Sequence, residues 1–130
     1  MRGPLEQALG HLARAKEFLD EAQGALTREY FSTATSNAIV AGINAKDAIC
    51  LKLTGKTAKG QNHQLAVFEL RAAGREAAVL ATTFDRLLKP KTRSQYTPLA
   101  VARKDAEIAV SHAEKLVDAA ARIVADSSRK

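Results

Sequence analysis

Residues 31–55, FSTATSNAIVAGINAKDAICLKLTG, decide the fold. Phe31, Ala34, Ala38, Ala41, Ala45 and Ala48 recur at alternating steps of three and four, which aligns them along one stripe of an α-helix. All but the first are alanines, so this helix has little bulk to bury and holds a core only if a neighbour comes close. Its end is marked by Leu53-Thr54-Gly55, with a glycine where helices commonly finish in a left-handed residue. The neighbour is found upstream, where Leu5, Ala8, Leu12, Ala15, Leu19, Ala22 and Leu26 repeat the same arithmetic with leucine and alanine in turn. A short polar junction at Thr27-Arg28-Glu29 joins the two, which are expected to lie antiparallel.

Downstream, GKTAKGQNH at 55–63 reads as an exposed loop, and Asn62 offers an N-cap for a third helix. Val67, Leu70, Val79, Leu80, Phe84, Leu87 and Leu88 are helically spaced core candidates, interrupted by Ala73-Gly74, which is expected to split the run in two. LLKPKTRSQYTP at 87–98 carries three cations, no acid and two prolines, and is read as a stretch that cannot continue a helix. Tyr96, close before Pro98, is expected to dock an extended linker against the body, leaving Lys89, Lys91 and Arg93 in solvent where they can meet phosphate. Ala106, Ala109, Ala113, Leu116, Ala120 and Ile123, with Val110, Val117 and Val124, form a broad apolar face on a last long helix. The expected architecture is an all-α, up-and-down bundle of four to five helices in a single domain over 1–130.

A chain of 130 residues and 13.9 kDa is long enough to bury a core without a staple. Cys50, the sole cysteine, allows no internal disulfide, and with three scattered histidines it offers no thiolate-rich zinc site, so neither metal nor cofactor is expected. The charged opening MRGPLEQALGHLARAK is unlike a signal peptide, and no stretch has the length of a membrane span, which makes a cytoplasmic, membrane-free protein the expectation. A net charge of +6 favours polyanionic partners without identifying one. P-loop, dinucleotide-binding, HExxH, EF-hand and GxSxG patterns are all missing.

Beside the alanine seam runs a polar line of Tyr30, Thr33, Asn37, Asn44 and Asp47. Short polar groups next to a tight seam must meet partners, water or a ligand, and either a hydrogen-bonded helix flank or a ligand wall satisfies them. His63, just after the cap position, suits acid–base work in its neutral form and equally suits a structural bond to Asp47. His11 and His112 lie on amphipathic helices and are expected at a surface or a seam.

Taken in order, AGINAKDAIC at 41–50, GQNHQLAVFEL at 60–70, LLKPKTRSQYTP at 87–98 and DAEIAVSHAEKLVDAA at 105–120 resemble the HEPN superfamily, the higher eukaryotes and prokaryotes nucleotide-binding domain. The resemblance implies a helical bundle, commonly a homodimer, associated with RNA cleavage, nucleotide binding or a companion nucleotidyltransferase in toxin–antitoxin pairs. Ribonuclease members carry an arginine, four to six residues and then a histidine; before His112 those positions hold Asp105, Ala106 and Glu107, and Arg103 stands too far upstream. The expected function is therefore a non-catalytic module binding a nucleotide, RNA or a partner protein, such as an antitoxin or nucleotidyltransferase, with Asn44, Asp47, His63, Lys91, Arg93 and Tyr96 as candidate ligand contacts. One alternative is a metal-independent RNA endonuclease with His63 as general acid or base and Arg93 stabilising the phosphate. Another is a purely structural helical adaptor.

Overall fold

The computed structural model of the chain describes residues 3–58, 60, 62–96 and 101–127, with side chains throughout except at 90–96. The helices are α1 (Pro4–Thr27), α2 (Phe31–Thr54), α3 (His63–Ala72), the single turn α4 (Arg75–Ala78), α5 (Ala81–Tyr96) and α6 (Arg103–Ala125), and there is no strand among the described residues. The helices α1 and α2 are joined by three residues, with Tyr30 N–H donating to Ala25 O at 2.8 Å, and so short a link folds them back on each other. Ala8, Leu12, Ala15 and Ala22 of α1 and Ala34, Ala38, Ala41, Ala45 and Ala48 of α2 are buried, as the spacing predicts, whereas Leu19, Leu26 and Phe31 of the same stripes are half-buried and Ala25, outside the stripe, is fully buried. Leu5 departs from its stripe and is 53% exposed at the open end of the hairpin.

The last helix runs parallel to α2. Arg103 stacks over the Phe31 ring at 4.9 Å, Leu116 stands over Gly42, and Lys52 Nζ donates to Val124 O at 2.9 Å and Asp126 O at 2.8 Å, so contacts advance together along both helices. Lys52 thereby places a cation on the carbonyl end of α6, where the helix dipole favours it. The buried face of α6 is the expected one, from Ala106 to Val124. Between them, α5 runs the other way, and it approaches closely because Gly42 has no Cβ: one built there would fall onto Leu87 Cδ2.

Two expectations change. The segment 87–98 is no loop up to Tyr96, since α5 continues through Pro90 to that residue. Proline forfeits one amide bond, to the Arg86 carbonyl, but buried Leu87 and Leu88 fix the turn before it. Lys89, Lys91, Arg93 and Gln95 are good helix formers, and three of them put cations toward the C-terminal end. The side chains of Lys91, Arg93 and Tyr96 lie outside the described residues, as do residues 97–100. Val79, expected in the core, is 74% exposed, because α4 is a single turn whose inward position is taken by Ala77.

The break at Ala73-Gly74 falls where predicted, and Asn62 caps α3 by accepting from Leu65 N–H at 3.0 Å. At Gly55 the backbone is left-handed (φ 81°) and sends the chain back over the C-terminal half of α2, with α3 following beside it.

Candidate functional site

On the flank of α2 that the returning loop covers lies Lys46, 1% exposed. Its ammonium donates to Glu69 Oε1 at 2.7 Å, Thr57 Oγ1 at 2.8 Å and Asp47 Oδ1 at 3.3 Å, which uses all three of its hydrogens. Thr57 in turn donates its hydroxyl to Asp47 Oδ1 at 2.6 Å, and the Ala58 amide donates to Glu69 Oε1 at 3.2 Å. One buried cation thus ties α2, the loop after Gly55 and α3 together. Two carboxylates against one ammonium leave the cluster with a formal surplus of negative charge.

Burial pulls the Glu69 carboxyl upward, but the bonds from Lys46 and the Ala58 amide outweigh it and hold its pKa below the ordinary value. A depressed acid contributes stability that is complete above the ordinary glutamate range, about 4.3, and is lost as the pH falls through the lower folded value. Urea midpoints measured from neutral pH down to pH ~3 are expected to fall in that acid window, and Glu69→Gln is expected to flatten that part of the decline. One turn along α2, the Cys50 thiol is pushed up to about 11 by burial, with Lys46 opposing and Glu69 and Asp47 adding, so it stays protonated and inert.

Beside this network opens a cavity of about 250 Å³. Ile43, Ala66, Phe84 and Leu88 form its apolar walls; Lys46, Asp47, Asn62 and His63 form the polar side. The Asp47 side chain is 9% exposed, and Oδ2 makes no hydrogen bond among the described residues, the His11 ring standing 4.0 Å away. Asn62 spends its Oδ1 on the α3 cap, which leaves the Nδ2 hydrogens to donate.

The candidates from the sequence are distributed as follows. Asp47 and His63 meet at this cavity. Asn44 turns toward α1 instead: its Nδ2 donates to Val40 O at 3.0 Å, and its Oδ1 lies 2.9 Å from His11 Nδ1, a ring seated in the seam as expected. Tyr30 and Thr33 are exposed near the start of α2, so the polar line is only half sequestered. Sequence reasoning missed Lys46, Thr57 and Glu69. Lys46 had a signal, because the stretch from 38 to 51 holds no other cation and its neighbours at three and four removed are Ile43 and Cys50.

On α6, His112 Nδ1 is buried without a hydrogen bond, and burial, then Lys115 and Arg86, lower its pKa, so the ring is neutral at pH 7. Arg103 is engaged elsewhere, paired with Glu29 at 3.0 Å and stacked on Phe31. No group of three His, Cys, Asp or Glu among the described residues is placed to hold a metal ion, and no described helix is long and apolar enough to cross a membrane.

A family model described as HEPN domain matches residues 8–124, which include the buried network and the whole cavity wall. No curated protein matches the chain.

Proposed function

Because the chain belongs to the HEPN domain family, we propose that it is a non-catalytic module that binds single-stranded RNA, its phosphates along α5 and one unstacked base in the cavity. The observation that carries this is an adjacency. Phe84 and Leu88 wall the cavity, and the same helix from Arg86 to Tyr96 bears Arg86, Lys89, Lys91 and Arg93 with no acid. At 1.5 Å per residue, Lys91 and Arg93 stand about 5 to 8 Å beyond Leu88 along the axis. Lys89 is paired with Asp85 at 3.6 Å, but an exposed pair of this kind is weak and gives way to a phosphate. The cavity, at about 250 Å³, is smaller than the roughly 300–1,000 Å³ of pockets that hold drug-sized ligands, which suits a single base.

Binding is favoured over cleavage because Lys46, the one cation among the described lining residues, is already saturated by three acceptors and has no hydrogen left for a developing phosphate charge. The endonuclease alternative rests on His63 with Arg93 brought to it. As in the family, the unit is taken to be a homodimer, with Leu65 and Phe68, 44% and 63% exposed on α3, as apolar surface for association; an antitoxin or a nucleotidyltransferase is the partner class.

The test is a salt titration of affinity for a labelled single-stranded RNA. Log affinity is expected to fall linearly with log salt, and Lys91→Ala with Arg93→Ala is expected to reduce the slope by about 1.4, roughly 0.7 for each phosphate that is no longer neutralised. Affinity without salt dependence would favour the adaptor.

A further inference from the structure

Resting on that RNA-binding function, we infer that the cavity selects a base with an exocyclic amino group beside an unprotonated ring nitrogen, adenine or cytosine, and disfavours uracil. Three features of the cavity carry this. The first is Asp47, a carboxylate 9% exposed whose Oδ1 already accepts from Thr57 and Lys46 while Oδ2 accepts no hydrogen bond among the described residues, the His11 ring standing 4.0 Å from it. Such an oxygen asks for an N–H donor. The second is Asn62, whose Oδ1 is held by the Leu65 amide, leaving its amide hydrogens for an acceptor on the same ligand. The third is the saturation of Lys46, whose three ammonium hydrogens already have acceptors and leave none for a phosphate.

A donor next to an acceptor on a flat ring matches that wall, and Ile43, Phe84 and Leu88 offer the ring apolar faces. The amino group donates to Asp47 Oδ2, and the neighbouring ring nitrogen accepts from Asn62 Nδ2. Uracil carries its one imide N–H between two carbonyls. If that hydrogen meets Oδ2, one carbonyl accepts from Asn62 and the other is set against the carboxylate. A site built around a buried acceptor rejects a ligand that cannot satisfy it.

The test is fluorescence anisotropy with labelled oligocytidine and oligouridine of equal length at one salt concentration. Their phosphates are the same, so any difference lies in the base. Oligocytidine is expected to bind about tenfold more tightly, the scale of one good base-edge contact, and Asp47→Asn is expected to bring the two together while the salt slope stays unchanged. Asp47 belongs to the buried network, so the same comparison is also made on the native protein with oligomers of N4,N4-dimethylcytidine. These keep the ring nitrogen and lose the donors, and they are expected to bind as weakly as oligouridine. Equal, salt-dependent affinity for cytidine and uridine oligomers would overturn the base preference while leaving RNA binding intact. Failure to bind either at any salt would overturn both.

Discussion

Lys46→Met is expected to cost about 3 kcal/mol of stability, at the lower end of the 3–5 kcal/mol typical when one partner of a buried ion pair is removed. Methionine fills nearly the same volume, so the loss is electrostatic. It leaves Asp47, whose side chain is 9% exposed, with the Thr57 hydroxyl as its one hydrogen-bond donor among the described residues and the His11 ring at 4.0 Å. Glu69, 27% exposed, turns to water and keeps the Ala58 amide, which is why the lower end applies. For a chain of this size the melting temperature is expected to fall on the order of 10 °C. Asp47→Asn added to Lys46→Met removes the stranded charge, and much of the loss is expected to return. If the double variant is no more stable than the single one, packing by the lysine stem rather than charge holds this part of the protein together.

Leu87→Ala is expected to cost about 2–5 kcal/mol, because Leu87 is fully buried where α5 leans on Gly42 and Leu116. The glycine makes the effect specific. With leucine present, Gly42→Ala forces its new methyl onto Leu87 Cδ2, and overpacking of roughly 1–3 kcal/mol exceeds the gain of about 1 kcal/mol in helix propensity. Once Leu87 is cut to alanine, the methyl of Gly42→Ala occupies vacated space and the propensity gain is realised. The double variant is therefore expected to be more stable than Leu87→Ala alone, although Gly42→Ala destabilises the parent. Additive losses in denaturant melts would mean that α5 does not seat on α2 at this glycine.

These two positions show what the sequence could and could not reveal. The hairpin of α1 with α2 and the buried face of α6 were legible because their cores are periodic, and periodicity is a local property. Asn62 as a cap and Ala73-Gly74 as a break were legible for the same reason. Burial of Lys46 is non-local: it depends on the left-handed turn at Gly55 and on Glu69 arriving from a helix that begins seventeen residues after Lys46. Beside Asp47, a lysine reads as solvated flank until that cover is in place. The course of α5 through Pro90 was hidden by a rule that is sound on average, since one lost amide bond does not stop a helix whose preceding turn is clamped by Leu87 and Leu88. Of the cavity lining, Asp47 was legible because a polar line beside an alanine seam must be satisfied by something, and His63 because it follows the Asn62 cap. The network that saturates Lys46, and with it the case for binding over cleavage, came only from the tertiary fold.

The most direct measurement is a time course of labelled single-stranded RNA with the full chain in chelator, run on native and denaturing gels with His63→Ala alongside. A cavity that holds a base and has no free cation among its described lining residues to act on a phosphate predicts RNA retarded on the native gel and intact on the denaturing one, with or without His63. Fragments that accumulate with the parent chain and vanish with His63→Ala would contradict it and make the protein a metal-independent ribonuclease.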